Sequence, residues 1–202
     1  MISIVIPTYN EAENISRLVS YLVANSNRSV CEIIVSDGES EDRTVHMAEA
    51  AGAKAVLSPQ KGRAAQLNFG ASIATGNILY FIHADTVPPA TFVADIEKAV
   101  ADGYSLGRYA TAFDSDKTIL KINAFFTQFD WFVCYGGDQT LFITKSLFTA
   151  VQGFGQEMQI MEDYDIVTRA RKLGRYKIFS KNALVSARKY RTNSWVKVQC
   201  AN

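Results

Sequence analysis

With 202 residues, 48% of them hydrophobic and 20% charged, the chain can bury one sizeable core, which excludes a disordered polypeptide and a repeat solenoid. No apolar run approaches the roughly 18 residues that cross a bilayer, which excludes a helical membrane span. The net charge of +1 hides a division: residues 1–165 hold all 20 acids and 11 bases, whereas residues 166–202 hold the other 10 bases and no acid.

Ile2-Ser3-Ile4-Val5-Ile6 reads as the first strand, broken by Pro7-Thr8-Tyr9-Asn10. Asn10 and Glu13 have the spacing of a capping box, and Ile15, Leu18, Val19, Leu22 and Val23 recur at helical spacing to about Ala24. Glu32 to Val35 is a second strand that runs into the acidic turn Ser36-Asp37-Gly38-Glu39-Ser40, before a helix ended by Gly52. A short strand, Ala55 to Leu57, leads through Pro59 to Lys61-Gly62-Arg63 and a helix from about Ala64 to Ala74. Asn77 to Ile82 is an apolar, β-branched and aromatic run that suits a strand buried on both faces, and it ends in His83-Ala84-Asp85-Thr86. The order βαβαβαβ with short connections predicts a parallel sheet covered by helices on both faces.

Beyond Pro89 the spacing predicts a helix over Phe92 to Val100, closed by Gly103, and a strand from Tyr104 to Phe113. Ile119 to Val133, rich in Phe and Trp, is expected to be a helix packed in the core. Gly136-Gly137-Asp138 is a turn before a strand from Thr140 to Thr144, and Gly153-Phe154-Gly155 is expected to be a flexible loop. Glu162-Asp163-Tyr164-Asp165 opens a helix to Leu173, with Gly174 as its stop. Cys31, Cys134 and Cys200 have no metal-ligand spacing and fit packing residues in a reducing compartment. With the first strand beginning at Met1 and no basic leader, the expected location is the cytoplasm.

Parallel strands bring their carboxyl ends to one edge, where ligands bind. Asp37, His83, Asp85, Glu162 and Asp163 all follow strands or start helices, so that edge gathers them. If the chain stays extended past Ile82, His83 and Asp85 leave the same face. An Asp after a strand serves equally as a turn or helix cap, and acids in a first turn suit the helix dipole. No G-x-G-x-x-G or G-x-x-x-x-G-K-[ST] loop is present, which argues against a dinucleotide oxidoreductase and a P-loop enzyme. The basic segment suits a phosphate-rich partner, and Tyr176, Tyr190 and Trp195 are interleaved with it, but no nucleic-acid motif accompanies them and none is expected as a partner.

From Ile2 to about Tyr176 the chain resembles the family 2 glycosyltransferases. Ile4 to Glu11 looks like their opening strand and nucleotide loop, and Ser36-Asp37-Gly38-Glu39-Ser40 like the turn that contacts the base. Asn68-Phe69-Gly70 with Ala74-Thr75-Gly76 is similar to the helix before their metal strand, and Gly153-Phe154 with Glu162-Asp163 to their acceptor loop and base motif. The His83-Ala84-Asp85-Thr86 form is closest to a bacterial subgroup of radical-SAM/selenodomain-associated transferases. The resemblance implies a Rossmann-like, mainly parallel α/β sheet of the A type, one domain over 1–202, with a nucleotide half (1–87) and an acceptor half (88–202) that carries the basic C-terminal segment.

It further implies a nucleoside-diphosphate sugar as donor, cradled by Pro7, Thr8, Tyr9, Glu11, Asp37, Arg63, Asn68, Arg188 and Arg191. Asp37 would accept from a pyrimidine N–H, so a uridine diphosphate sugar is expected, with guanosine as the alternative. A divalent cation, Mn²⁺ or Mg²⁺, would be held by Asp85 with His83 as ligand or orienter; imidazole in place of the family's first aspartate suits Mn²⁺ better. Asp163, beside Glu162, is the expected general base for direct displacement that inverts the anomeric centre. The acceptor is a hydroxyl compound, lipid-linked ones included, and the basic segment suggests contact with an anionic membrane surface. Two other activities compete. A sugar-nucleotide pyrophosphorylase would need a glycine-rich basic loop after the first strand, which is absent; a catalytically silent nucleotide- or lipid-phosphate-binding module would fit the lost acid at position 83.

Overall fold

The structure, a computed structural model, describes residues 1–130, 139–155, 162–188 and 190, without the side chain of Cys31. Gly136-Gly137-Asp138, Cys134, Cys200, Arg191 and Trp195 therefore lie outside the described residues.

β1 (Ile2–Thr8) forms because its β-branched residues alternate between two apolar environments. Ile2, Ile4 and Ile6 face one layer of helices and Val5 the other. Its neighbours are β2 (Val30–Asp37) and β4 (Ile78–Phe81), both parallel to it, and β3 (Lys54–Leu57) pairs parallel with β2 at the outside. Four consecutive positions of β4 are buried, which explains its unbroken apolar sequence.

Beyond β4 the sheet becomes mixed. β7 (Leu141–Thr144) lies antiparallel between β4 and β6 (Leu106–Phe113), β8 (Tyr176–Val185) runs parallel to β6, and β5 (Thr86–Val87) adds a short antiparallel edge to β8. The order is β3-β2-β1-β4-β7-β6-β8-β5. The expected parallel βαβ half is thus present, and the second half joins it as one continuous mixed sheet.

Helices cover both faces. α1 (Ala12–Ala24), α2 (Thr44–Ala50) and α4 (Phe92–Ala101) pack on one face with Ile4, Tyr80 and Phe142. α3 (Arg63–Ile73), α6 (Lys145–Ala150) and α7 (Glu162–Ala170) pack on the other with Val5, Ile34, Phe81 and Ile143. α5 (Thr118–Phe126) stands apart with Leu120 as its buried residue, against Ala187 and Tyr190. No helix among the described residues is long and apolar enough to cross a membrane.

Several local expectations are corrected. Asn10 does not cap α1: it adopts φ 55°, and its Oδ1 accepts from Glu41 N while its own N–H donates to Ser40 Oγ, so it ties the first loop to the second. The first turn of α1 is met from outside instead, where Ala12 N donates to Asp42 Oδ2 at 3.1 Å. The helix from Ile119 is not core: Ile119, Ile122, Phe125 and Phe126 are 40–57% exposed, because only one narrow stripe of α5 meets the body. Gly153-Phe154-Gly155 is pinned, not flexible, since Asn68 donates to Phe154 O and accepts from Phe154 N, each at 2.9 Å, and the Phe154 ring is buried. Gly174 is not a left-handed helix stop; a Cβ there would meet Leu147 at 2.7 Å and Ser105 at 2.9 Å, so close packing requires it.

The tightest such approach that positions the ligand edge is Gly70, where α3 crosses β1 and an added Cβ would lie 2.4 Å from Val5 Cγ1. Gly70→Ala should therefore destabilise the protein by about 1–3 kcal/mol despite the better helix propensity of alanine. A urea denaturation midpoint equal to that of the parent would show that α3 can shift without cost.

Candidate functional site

The parallel strands end together, and the loops behind them enclose a cavity of about 510 Å³. Pro7, Thr8, Tyr9 and Glu11 come from the end of β1, Gly38 from the end of β2, and Lys61, Gly62, Arg63 and Gln66 from the start of α3. His83, Ala84 and Asp85 follow β4, and Arg188 follows β8. His83 and Asp85 do not continue an extended strand: β4 stops at Phe81 and a turn follows, closed by Thr86 N donating to His83 O at 3.0 Å, because Thr86 must turn back to pair with β8. Both nevertheless line the cavity.

Arg188 contacts the Glu11 carboxylate, and that contact ties the C-terminal segment to the first loop. Burial works against its charge, but Glu11, and beyond it Asp85 and Glu13, outweigh burial and raise its pKa above the ordinary value. A guanidinium on the cavity wall can take phosphate oxygens in exchange for its contact with Glu11.

Asp37 and Asn68 are placed differently from expectation. Asp37 is fully buried behind the cavity wall: its Oδ1 accepts from Thr8 Oγ1 at 2.9 Å and Ser40 Oγ at 2.6 Å, and its Oδ2 from Ser40 N at 2.7 Å. These bonds hold the ends of β1 and β2 together. Asn68 is spent on Phe154, as described above, and does not reach the cavity.

At the far side α7 presents its first turn. Glu162, whose side chain is 3% exposed, pairs with Arg63 at 3.0 Å. Asp163 Oδ2 lies 3.6 Å from His83 Nε2, both side chains are nearly buried, and that oxygen has no hydrogen-bond partner among the described residues. Asp163 shares a small gap with Arg108, Thr140 and Tyr164, and its neighbour His83 lines the main cavity. Asp165 is committed elsewhere: it pairs with Arg169, which in turn donates to the carbonyls of Val151 and Gly153.

A family model described as glycosyl transferase family 2 matches residues 3–159. The chain belongs to that family. Glucosyl-3-phosphoglycerate synthase of Mycolicibacterium smegmatis is 33% identical over 96 residues, 44% of this chain and 32% of that protein. The chain spans about a third or less of the curated relatives it matches. Among solved structures, S. aureus TarS 1–349 in complex with UDP-GlcNAc has a TM-score of 0.76 at 16% identity, covering 92% of this chain and 58% of that one. Glucosyl-3-phosphoglycerate synthase from Mycobacterium tuberculosis, with Mn²⁺, UDP and phosphoglyceric acid, has a TM-score of 0.72 at 18% identity, covering 100% and 74%. These likenesses place the family 2 domain in the A-type glycosyltransferase fold.

A metal fits this family 2 domain only in one form. Among the described residues no group of three His, Cys, Asp or Glu side chains could hold an ion. Two carboxylates line the cavity; Glu11 is engaged by Arg188, which leaves Asp85, and a divalent ion that takes most of its ligands from phosphate and water needs little more.

Sequence reasoning missed Lys61, Gln66 and Arg108. Arg108 is 2% exposed beside Asp163 and donates to Tyr176 Oη at 2.7 Å and Thr127 O at 2.6 Å. It sits mid-strand, where an arginine reads as a solvent-facing residue. Gln66 was legible only as a lone amide on the apolar side of α3, among Ala64, Leu67 and Ala71.

Removing one side of the Arg63–Glu162 pair has unequal consequences. Arg63→Ala strands a buried carboxylate and should cost about 1–3 kcal/mol of stability, whereas Glu162→Gln leaves a neutral amide able to accept from Arg63 and should cost less. Denaturation midpoints equal to the parent's in both variants would show that the pair does not brace α7.

Proposed function

We propose that this domain transfers a sugar from a nucleoside-diphosphate sugar, a uridine diphosphate sugar, to an acceptor hydroxyl with inversion at the anomeric carbon and with help from a divalent cation. The observation that carries this is the cavity at the carboxyl ends of β1, β2 and β4, with Asp85 and Arg188 inside it and Asp163 beside His83. The UDP and UDP-sugar complexes of the solved structures of the same fold support the donor class. The His83-Ala84-Asp85-Thr86 sequence also supports kinship with the radical-SAM/selenodomain-associated transferases.

The chemistry asks two things of the residues. As the acceptor oxygen bonds to the anomeric carbon, the bond from that carbon to the phosphate oxygen breaks and its electron pair leaves with the nucleoside diphosphate. A cation held by Asp85 and the diphosphate would offset that growing charge. Arg188, on the cavity wall, would supply positive charge to the same group. The acceptor proton must go to a base on the opposite side of the sugar. Asp163 suits that role because its Oδ2 is desolvated and not engaged in structural hydrogen bonds among the described residues. His83, at 3.6 Å from that oxygen, is in place to orient the carboxylate. Glu162, paired through Oε1 with Arg63, would brace the turn that carries Asp163.

Asp163→Asn should lower turnover by about 10²–10⁴-fold in a sugar-transfer or donor-hydrolysis assay. Its melting temperature should hardly move, because no structural bond is lost. Asp165→Asn should do the reverse, reducing stability through Arg169 with a milder effect on turnover. Full activity in Asp163→Asn would remove it as the base. Addition of a chelator should weaken donor binding in the parent, and Asp85→Asn should make donor affinity indifferent to chelator.

A further inference from the structure

We infer that Gln66 reads the nucleobase of the donor, through an amide carbonyl locked by the backbone of the two strands in front of it, and that it selects bases that present a ring N–H. This rests on the donor class proposed above. Gln66 is 5% exposed yet lines the cavity. Its Nε2 spends both protons on carbonyl oxygens, donating to Thr8 O at 2.6 Å and to Ser36 O at 2.8 Å. Two carbonyls can be met only by the amide nitrogen, so the orientation of the group is not interchangeable. The carbonyl Oε1 is left facing away from them, and among the described residues no hydrogen bond to it is present. Gly38 closes the clamp: a Cβ at that position would come within 3.1 Å of Cδ, Nε2 and Oε1 of Gln66 alike, so the amide lies flat against Gly38 and cannot swing.

The place of this acceptor in the cavity decides what it meets. β1 lies between β2 and β4, so the Gly38–Gln66 end is two strand spacings, about 10 Å, from the His83–Asp85 end. With diphosphate at Asp85 and Arg188, the β2 end is left for the nucleoside. Lys61, a basic side chain drawn toward that end, is paired with Glu39 at 2.9 Å. A fixed carbonyl oxygen repels phosphate and favours a donor. Uracil and thymine at N3 and guanine at N1 carry a ring N–H, whereas cytosine and adenine turn a bare nitrogen lone pair to the same place. Asp37, the acidic alternative at this strand end, has both oxygens consumed internally and no exposure.

The test is calorimetric titration of the whole chain, in buffer with Mn²⁺, using UDP, GDP, CDP and N3-methyl-UDP, in which a methyl group replaces the ring proton. UDP should bind about 10²-fold or more tightly than N3-methyl-UDP and CDP, because the buried carbonyl is otherwise left without a donor. GDP binding within tenfold of UDP would leave selection to the ring N–H alone, and a larger gap would add a size limit to it. In Gln66→Met, which keeps length and loses both amide functions, the ratio of UDP to N3-methyl-UDP should fall towards one. Equal binding of UDP and N3-methyl-UDP by the parent overturns the assignment while the donor class stands. So does an undiminished ratio in Gln66→Met. If that variant does not fold, the parent's ligand series decides. Binding of none of the nucleotides overturns the donor class and this inference together.

Discussion

The positions of the functional residues depend on the pairing of β1 with parallel strands on both sides. Its register with β2 runs from Ile4↔Ile33 to Thr8↔Asp37, and with β4 from Ile2↔Ile78 to Val5↔Phe81. Parallel pairing brings three carboxyl ends to one edge, and a slip of one residue would exchange the two faces of β1 and bury Ser3 where Ile4 belongs. The bond from Thr8 Oγ1 to Asp37 Oδ1 and the two bonds from Gln66 fasten that edge at the last residues of the strands. The ligand edge is therefore a rigid end of the sheet, with the more adaptable loops hung from it.

The second half of the chain serves this edge from the other side. β7 and β6 extend the sheet antiparallel, which lets β8 return parallel to β6 and deliver Arg188 to the cavity. α7 reaches the same place through two ties: Glu162 to Arg63 at its start, and Asp165 with Arg169 to the 151–153 carbonyls. Asn68 joins α3 to Phe154 in the same region. Three side-chain links thus fix Asp163 relative to strands with which it has no backbone pairing. On the function proposed above, the donor would sit on one rigid half and the base would be brought by the other.

The charge division along the chain acquires a local meaning in this arrangement. The acidic first part supplies Glu11, Asp85 and Glu13, and the basic last part supplies Arg188, which their charges favour. A cavity that already balances a guanidinium against carboxylates can take a diphosphate and a cation with little change in net charge. α5 leaves Ile119, Ile122, Phe125 and Phe126 exposed, while its Leu120 packs against Ala187 and Tyr190 on either side of Arg188.

The amino-acid sequence determined the elements and much of the site, because those signals are local. The alternation of Ile2, Ile4 and Ile6 against Val5, the unbroken apolar Ile78–Phe81, and the helical spacing of Ile15 to Leu22 each follow from one strand or helix seeing one environment. His83, Asp85, Glu162 and Asp163 were legible as polar residues where such patterns stop. Only the tertiary structure decided how their roles divide. Asp37 was drawn inside by Thr8 and Ser40, Asn68 was taken up by Phe154, and His83 was set beside Asp163, because each partner is at least 29 positions away in the sequence except Ser40. Gln66 shows the same limit most clearly. Its amide has a direction only when Thr8 O and Ser36 O arrive in front of it, and no local pattern in α3 encodes where those two carbonyls will be.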